Sequence, residues 1–219
     1  MHEDRWPRPL PRLLQETPLI AVLRAEAPAE CVAAVRTLVE EGIGCVEMTL
    51  TTPGVLDALP AFIDAHGDDA DIGVGSIVDP DQAMRALDAG ASFVVTPVAD
   101  VDVVRLCVER GVPVFPGALS PTEIHRVWSA GASAVKVFPA SLVGSEYLGQ
   151  LRGPMPDVEV VPSGGVGLDE AVAWITAGAR AVSVGGPLLG DSLRGGNPDA
   201  LRGRARAFVA TLRDGRGRG

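Results

Sequence analysis

Residues 129–137 read SAGASAVKV: the end of a helix, a glycine, and then an apolar run that suits one β-strand. The same order recurs in EEGIGCVEM at 40–48, DAGASFVV at 88–95, ERGVPVF at 109–115 and TAGARAVSV at 176–184. Gly90, Gly111 and Gly131 are spaced by about twenty residues, enough for one strand and one helix. The chain is therefore predicted to consist of repeated β-strand and α-helix units.

Apolar segments of strand length follow one another along the chain, eight in all. In order they are PLIAVL (18–23), CVEMTL (45–50), DIGVGS (71–76), SFVVTP (92–97), VPVFPG (112–117), SAVKVFP (133–139), VEVVPSGG (158–165) and AVSVGG (181–186). A helix-sized stretch separates each segment from the next, except between the last two segments. Strands that are apolar on both faces are typical of a parallel sheet covered by helices. The sequence therefore predicts an α/β fold, a single-domain (β/α)8 TIM barrel, with a doubly wound open sheet as the alternative.

The predicted domain occupies most of the chain. Its 219 residues suffice for one barrel, which is expected at residues 18–212. Residues 1–17 are expected to form an N-terminal extension or helix, and residues 213–219, RDGRGRG, lack an apolar anchor and are expected to be a disordered tail. DPDQ at 79–82 and SPTE at 120–123 mark two helix starts, because each offers a side-chain cap followed by proline.

Composition and charge argue against several kinds of partner. The formal net charge of -9 disfavours nucleic acid and anionic membranes, although a local positive site can still bind a small anionic substrate. Cys31, Cys45 and Cys107 are odd in number and scattered, which argues against a disulfide framework. The N-terminal MHEDRWPRPLPRL lacks the continuous apolar stretch of a secretory signal. We therefore expect a soluble, cytoplasmic protein with no nucleic-acid or membrane partner.

Lys136 is the only lysine among the nineteen basic side chains, and it lies inside the apolar segment SAVKVFP. In a parallel barrel the chemistry lies at the carboxyl ends of the strands, where this lysine is expected. Burial disfavours the ammonium form and so supplies the neutral amine that attacks a ketone to form an iminium, or Schiff base. A lysine that only pairs with Glu47 or holds a phosphate is the alternative.

Two further charged residues are expected at the same end of the strands. Glu47 replaces an apolar residue within CVEMTL, where an unpaired carboxylate is costly, and is a candidate general acid and base. Arg24 follows LIAVL and offers a planar fork for the carboxylate of a 2-keto acid. The alternative for Glu47 is a structural ion pair with Lys136 or Arg24. The alternative for Arg24 is a side chain that only seals the rim of the barrel.

Glycine pairs end the seventh and eighth predicted strands. Gly164 with Gly165 and Gly185 with Gly186 stand where barrels often hold phosphate through backbone N–H groups, although tight turns explain them equally well. The histidines, at positions 2, 66 and 125, are scattered and lack the spacing of metal ligands. The sequence predicts neither a metal site nor a cofactor.

The order of motifs resembles that of the 2-keto-3-deoxy-6-phosphogluconate (KDPG) and 4-hydroxy-2-oxoglutarate (KHG) aldolases, from about residue 18 to residue 210. The motifs are IAVLRA, VEMTLTT, GVGSIV, VTPV, FPGALSPTE, VKVFPA, PSGGV and VGG. The resemblance implies a class I aldolase, a carbon–carbon lyase with a Schiff base at Lys136 and a proton shuttle through Glu47. It further implies contacts to substrate from Arg24, Ser76, Pro97, Phe138 and Ser163, and a phosphate site at Gly164, Gly165, Gly185 and Gly186. It also implies a cytoplasmic homotrimer that needs no cofactor.

Four positions depart from the family pattern. Ser76 and Ser163 stand where threonine is usual, and each keeps a hydroxyl group. Thr51 stands where some members have an arginine, so that Arg24 would bind the anion alone. Pro187 stands where the phosphate site usually has a serine, and it removes both a hydroxyl and an N–H donor. We therefore expect weaker phosphate binding than in the family.

The resemblance implies a 2-keto acid substrate. The first expectation is cleavage of 2-dehydro-3-deoxy-6-phosphogluconate to pyruvate and glyceraldehyde 3-phosphate, together with cleavage of KHG to pyruvate and glyoxylate. The phosphogalactonate epimer is an alternative substrate. A noncovalent sugar-phosphate epimerase-type barrel, in which Lys136 binds phosphate, and a barrel that only binds a metabolite are the alternatives of a different class.

Overall fold

The computed structural model describes the backbone of residues 10–216 and the side chains of residues 10–213. The strands are β1 (Leu19–Leu23), β2 (Cys45–Thr49), β3 (Asp71–Gly75), β4 (Val94–Val95), β5 (Val114–Phe115), β6 (Gly117–Ala118), β7 (Val135–Val137), β8 (Val160–Pro162) and β9 (Val182–Val184). The helices are α1 (Arg12–Glu16), α2 (Cys31–Glu40), α3 (Val55–His66), α4 (Pro80–Asp88), α5 (Val101–Glu109), α6 (Pro121–Ala130), α7 (Glu146–Arg152), α8 (Leu168–Thr176), α9 (Gly186–Leu189) and α10 (Pro198–Arg216). Strands and helices alternate, as the repeated units predicted.

All paired strands run parallel, in two sheets with the orders β5-β4-β3-β2-β1-β9 and β6-β7-β8. A single bridge between Ser163 and Ser183 links β8 to β9. The predicted parallel α/β fold is confirmed, with a curved sheet whose neighbours follow chain order. The reversal of strand order that marks a doubly wound sheet is absent from the described residues. An uninterrupted ring of eight strands is likewise not observed in this part of the chain.

Pro116 explains why the fifth predicted strand is divided into β5 and β6. Proline has no N–H group, so the hydrogen-bond ladder is broken at this residue. The carbonyl oxygen of Pro116 still accepts a hydrogen bond from the backbone N–H of Lys136 at 2.8 Å. The break therefore lies beside the strand that carries the only lysine.

Both helix starts marked in the sequence are confirmed. The side chain of Asp79 accepts a hydrogen bond from the N–H of Gln82 at 2.8 Å at the start of α4. Ser120 and Glu123 form a reciprocal capping box at the start of α6. The expectation that the last two strands lack a helix between them is wrong, because α8 connects β8 to β9.

The C-terminal prediction requires a correction. Helix α10 continues to Arg216, so residues 213–216 are helical rather than part of a disordered tail. The helix is anchored because Leu212 is fully buried and the guanidinium of Arg213 donates to Thr17 Oγ1 at 3.1 Å. The described part of the chain excludes residues 1–9 and 217–219. Of the predicted N-terminal segment, residues 1–17, it therefore includes residues 10–17, which contain α1.

A small apolar cluster joins α1 to residues of the strands and to residues that directly precede strands. Its buried members are Leu13, Leu14, Ile20, Cys45, Phe93, Val95, Phe115, Ala134, Val161 and Ala181. The rings of Phe93 and Phe115 meet edge to face, with centroids 5.9 Å apart. A second, larger cluster packs the outer faces of the strands against the helices.

The cysteines are all buried and free. Burial raises the pKa of the Cys31 thiol to about 11, with a further contribution from Glu30, and raises that of Cys107 to about 12. These thiols are therefore protonated at neutral pH and act as small apolar side chains. Within residues 10–216, no helix has both the length and the hydropathy needed to cross a membrane.

Candidate active site

A cavity of about 220 Å³ lies at the carboxyl ends of the strands. All the site residues predicted from the sequence line it: Arg24, Glu47, Ser76, Pro97, Lys136, Phe138, Ser163, Gly164, Gly165, Gly185 and Gly186. The cavity is also lined by Val22, Val166, Ser183 and Pro187. Residues that are far apart in sequence therefore meet in one place.

Lys136 occupies the middle of β7 and is 7% exposed. Its amine lies 5.2 Å from the centroid of the Phe138 ring, within the range of a cation–π contact. The ion pairs formed by the described residues all lie elsewhere and involve neither Lys136 nor Glu47 nor Arg24. The amine therefore faces the cavity without a carboxylate in salt-bridge contact, contrary to the ion-pair alternative.

Glu47 lies in the middle of β2 and is 1% exposed. Its Oε2 atom is buried and has no hydrogen-bond partner among the residues that the structure describes. The carboxylate lies against Gly75 of the neighbouring strand, where a Cβ atom would stand only 1.8 Å from Oε1. A buried oxygen without a hydrogen bond costs free energy, and a bound ligand that donates a hydrogen bond to Oε2 would remove this cost.

Arg24 and Ser76 face each other at the ends of β1 and β3. The guanidinium donates from Nη2 to Ser76 Oγ at 3.4 Å. Ser76 has a φ of 63° and is the one residue other than glycine with a positive φ in the described chain. Such a conformation is strained for serine and is typical of functional sites. The pair provides a cation and a hydroxyl group at one side of the cavity.

Three threonines lie behind Arg24. Thr52 is buried, and its Oγ1 accepts a hydrogen bond from the backbone N–H of Ala25 at 3.1 Å. Thr49 Oγ1 lies 3.4 Å from Thr52 Oγ1 and accepts a hydrogen bond from Thr51 Oγ1 at 3.0 Å. This network fixes the backbone immediately after Arg24. Thr51 therefore contributes to the support of the arginine.

Ser163 and Ser183 form a second pair of polar groups in the cavity. Ser163 Oγ donates to Ser183 Oγ at 3.3 Å, and both residues are buried. The sequence reasoning missed Ser183. The signal was present in the sequence, because Ser183 interrupts the apolar run AVSVGG as Glu47 interrupts CVEMTL.

The glycine pairs line the side of the cavity nearest to α8 and α9. Gly164 and Gly165 have φ values of 86° and 74°, which side chains rarely adopt. In the first turn of α9, Pro187 has no N–H group, and the N–H groups of Leu188 and Leu189 both bond to the carbonyl oxygen of Gly185. This helix start therefore keeps few donors for an anion.

Comparison with known proteins gives the family. The sequence model described as Aldolase: KDPG and KHG aldolase matches residues 11–202. The chain belongs to the KDPG and KHG aldolase family. Its members are aldolases, so the chain is a carbon–carbon lyase.

Individual relatives support this placement in the aldolase family. The chain is 35% identical over 198 residues to 2-dehydro-3-deoxy-6-phosphogalactonate aldolase of Escherichia coli K12. The aligned region covers 90% of this chain and 95% of the relative. It is 36% identical over 174 residues to 2-dehydro-3-deoxy-phosphogluconate aldolase of Treponema pallidum, and this aligned region covers 79% of this chain and 82% of the relative. A solved structure named as native KDPGal has a TM-score of 0.84 and 34% identity, covering 90% of this chain and 95% of that one.

Proposed function

We propose that this aldolase is a class I enzyme that cleaves a 2-keto-3-deoxy acid through a Schiff base on Lys136. The observation that carries the proposal is the position of the only lysine: it is buried in the cavity, together with Glu47, and among residues 10–213 neither forms an ion pair. A buried lysine and an unsatisfied carboxylate in one cavity are the parts that iminium chemistry needs, a nucleophilic amine and a group that moves protons.

The proposed reaction uses Lys136 and Glu47 in turn. The Lys136 amine attacks the C2 ketone, and loss of water gives an iminium. Glu47 removes the proton from the C4 hydroxyl, the C3–C4 bond breaks, and its electron pair moves into an enamine as the aldehyde leaves. Protonation of C3 by Glu47 and hydrolysis of the iminium then release pyruvate and free Lys136. The sequence of steps needs no cofactor and no metal.

The other residues of the cavity have complementary roles in this proposal. Arg24 and Ser76 bind the substrate carboxylate, because the guanidinium supplies a charged donor and Ser76 supplies a hydroxyl. Pro97 and Phe138 shape the pocket around the iminium. Gly164, Gly165, Gly185 and Gly186 hold a phosphate at the other end of the substrate. The few donors at α9 suggest that this phosphate is held weakly.

The substrate proposed first is 2-dehydro-3-deoxy-6-phosphogluconate, cleaved to pyruvate and glyceraldehyde 3-phosphate, with KHG as a further substrate that yields pyruvate and glyoxylate. The phosphogalactonate epimer is a second candidate, because the relative of that name is matched over 95% of its length. Both epimers share C1 to C3, so the same residues serve either of them.

The architecture and assembly are also part of the proposal. We infer a closed eight-stranded barrel, since the two sheets adjoin at Pro116 and are linked again by the Ser163–Ser183 bridge. We infer a cytoplasmic homotrimer from the family resemblance. A chain in a designed cage of fused symmetric oligomeric domains supports self-association, with a TM-score of 0.84, 33% identity, and coverage of 92% of this chain and 74% of that chain.

Trapping with pyruvate and borohydride tests the covalent step. Borohydride reduces an iminium to a stable amine, so intact-mass analysis and peptide mapping should find one lactyl-sized adduct, located on Lys136. Lys136→Ala should form no adduct and lose turnover while keeping the fold, as measured by circular dichroism. An unmodified Lys136 in folded, wild-type protein would favour the noncovalent epimerase-type barrel instead.

A further inference from the structure

The short helix α9 forms part of the cavity wall but is too short to be stable by itself. Gly185, Gly186 and Pro187, at the start of this helix, line the cavity. The helix has only 4 residues. Isolated helices shorter than about 12 residues are marginal in water, because few hydrogen bonds offset the cost of nucleation. The position of this part of the wall therefore depends on contacts between α9 and the rest of the chain.

Arg204 of α10 makes such a contact at the C-terminal end of α9. Its Nε atom donates to the carbonyl oxygen of Leu188 at 2.6 Å, and its Nη2 atom donates to that of Leu189 at 2.7 Å. The last carbonyl groups of a helix have no partner within the helix, and the helix dipole favours a cation beside them. Because the guanidinium is planar, it fixes the direction of both carbonyl groups at once.

Gly190, which directly follows α9, connects this contact to the cavity wall. A Cβ atom at position 190 would lie 2.8 Å from Nη2 and 3.0 Å from Cζ of Arg204, so the backbone packs closely against the guanidinium. The N–H of Gly190 donates to the carbonyl oxygen of Gly186 at 2.8 Å. One backbone hydrogen bond therefore joins a residue in contact with Arg204 to a residue that lines the cavity.

Arg204 differs from the nearest arginines on either side of it in α10. Arg202 and Arg206 both form ion pairs with Glu41 of α2. Among residues 10–213, Arg204 forms no ion pair, and its hydrogen bonds go to α9. The next residue, Ala205, is fully buried, so α10 is packed firmly at this point. Arg204 therefore links a packed helix to the wall of the cavity.

We propose that Arg204, which lies outside the cavity, is a positioning residue that holds the start of α9 in place for the phosphate end of the substrate. This inference rests on the function proposed above, in which the substrate is joined to Lys136 and its phosphate lies against the glycine pairs. Because the first turn of α9 keeps few donors, a small displacement of this turn removes a large share of the phosphate binding. Pyruvate has no phosphate, so its reaction with Lys136 does not depend on Arg204.

The test compares Arg204→Met with Arg206→Met. Arg206→Met is the matched control, because it removes the same charge from the same helix, whereas the partner of Arg206 is Glu41 of α2. The kinetic measurements are KM and kcat for the phosphorylated 2-keto-3-deoxy acid and for KHG, and the rate of deuterium exchange at the methyl group of pyruvate. The Kd of inorganic phosphate, measured by calorimetry, needs no turnover and so tests Arg204 separately from the Schiff-base chemistry.

Arg204→Met should raise KM for the phosphorylated substrate and Kd for inorganic phosphate by about tenfold, because α9 loses two charge-assisted hydrogen bonds. Its kcat, its cleavage of KHG and its pyruvate exchange should stay within about twofold of wild type. Arg204→Lys keeps the charge without the planar fork, so it should lose only about threefold in phosphate affinity. Arg206→Met should match wild type in every measurement.

Several results would overturn the role of Arg204. These are an unchanged phosphate affinity in folded Arg204→Met, equal effects of Arg204→Met and Arg206→Met, and wild-type protein that binds no inorganic phosphate. A loss of pyruvate exchange as large as the loss of phosphate affinity would show a general structural role instead. If circular dichroism shows that Arg204→Met is unfolded, Arg204→Lys serves for the same comparison. Absence of exchange and of the borohydride adduct in wild-type protein would refute the Schiff-base function alone, since the phosphate affinities would still test Arg204.

Discussion

Gly75→Ala is expected to displace the Glu47 carboxylate without altering the backbone. A Cβ atom at position 75 would lie 1.8 Å from Glu47 Oε1, 2.3 Å from Cδ and 2.6 Å from Cγ. Ordinary contacts between carbon and oxygen are longer than about 3 Å, so the carboxylate must move by roughly 1 to 1.5 Å. The φ of Gly75 is outside the left-handed region, which means that alanine adds a steric conflict and no backbone strain.

The size of the effect follows from the burial of Glu47. Overpacking a buried position costs about 1–3 kcal/mol, which lowers the Tm of a chain of this length by roughly 2–12 °C. A misplacement of about 1 Å at a reacting group costs about a hundredfold in rate. We therefore expect methyl-proton exchange of pyruvate to slow by about a hundredfold, while borohydride still traps pyruvate on Lys136.

The assay is proton NMR of pyruvate in deuterium oxide, with mass spectrometry of the trapped adduct. Gly149→Ala is the matched control, because a Cβ atom there meets nothing within 4 Å and should change neither rate nor adduct. Exchange within about fivefold of wild type in a folded Gly75→Ala protein would refute the reasoning, since Glu47 would then not be the group that moves the proton.

Three other substitutions test the roles of Glu47, Thr52 and Pro187. Glu47→Gln should still trap pyruvate but slow its methyl-proton exchange by about a hundredfold, as measured by the same NMR assay. Thr52→Val should raise the KM for the 2-keto acid by about fivefold with kcat within about twofold, because the N–H of Ala25 loses its acceptor and Arg24 is less well fixed. Pro187→Ser should raise the ratio of kcat/KM for phosphorylated over unphosphorylated substrate by about tenfold, because a hydroxyl and an N–H donor return.

For each of these three predictions, one result would contradict it. Unaltered exchange in Glu47→Gln would transfer the proton shuttle to another group. Thr37→Val, which removes a buried hydroxyl of α2 that bonds only to Ala33 within its own helix, is the control for Thr52→Val, and equal kinetics of the two would remove the positioning role. An unchanged substrate ratio in Pro187→Ser would show that the first turn of α9 does not contact the phosphate.

The local sequence determined the element types because each helix end and strand carries its own signal. The glycines that precede five of the predicted strands and the caps at Asp79 and Ser120 act over a few residues, and the caps predicted the starts of α4 and α6 correctly. The single lysine of the chain, Lys136, likewise stands out within its apolar strand from the residues on either side of it. Such signals depend on neighbouring residues only, so they can be read along the chain.

The tertiary structure decided what depends on contacts between distant residues. Helix α10 continues past 212 because Arg213 reaches Thr17, a contact that spans nearly the whole chain and leaves no local pattern. The pairing of Ser163 with Ser183 and the closeness of Gly75 to Glu47 arise only when parallel strands lie side by side. The sequence by itself determined which chemical groups lie at the strand ends. Only the fold decided which of them touch, because register and strand order are properties of the whole sheet.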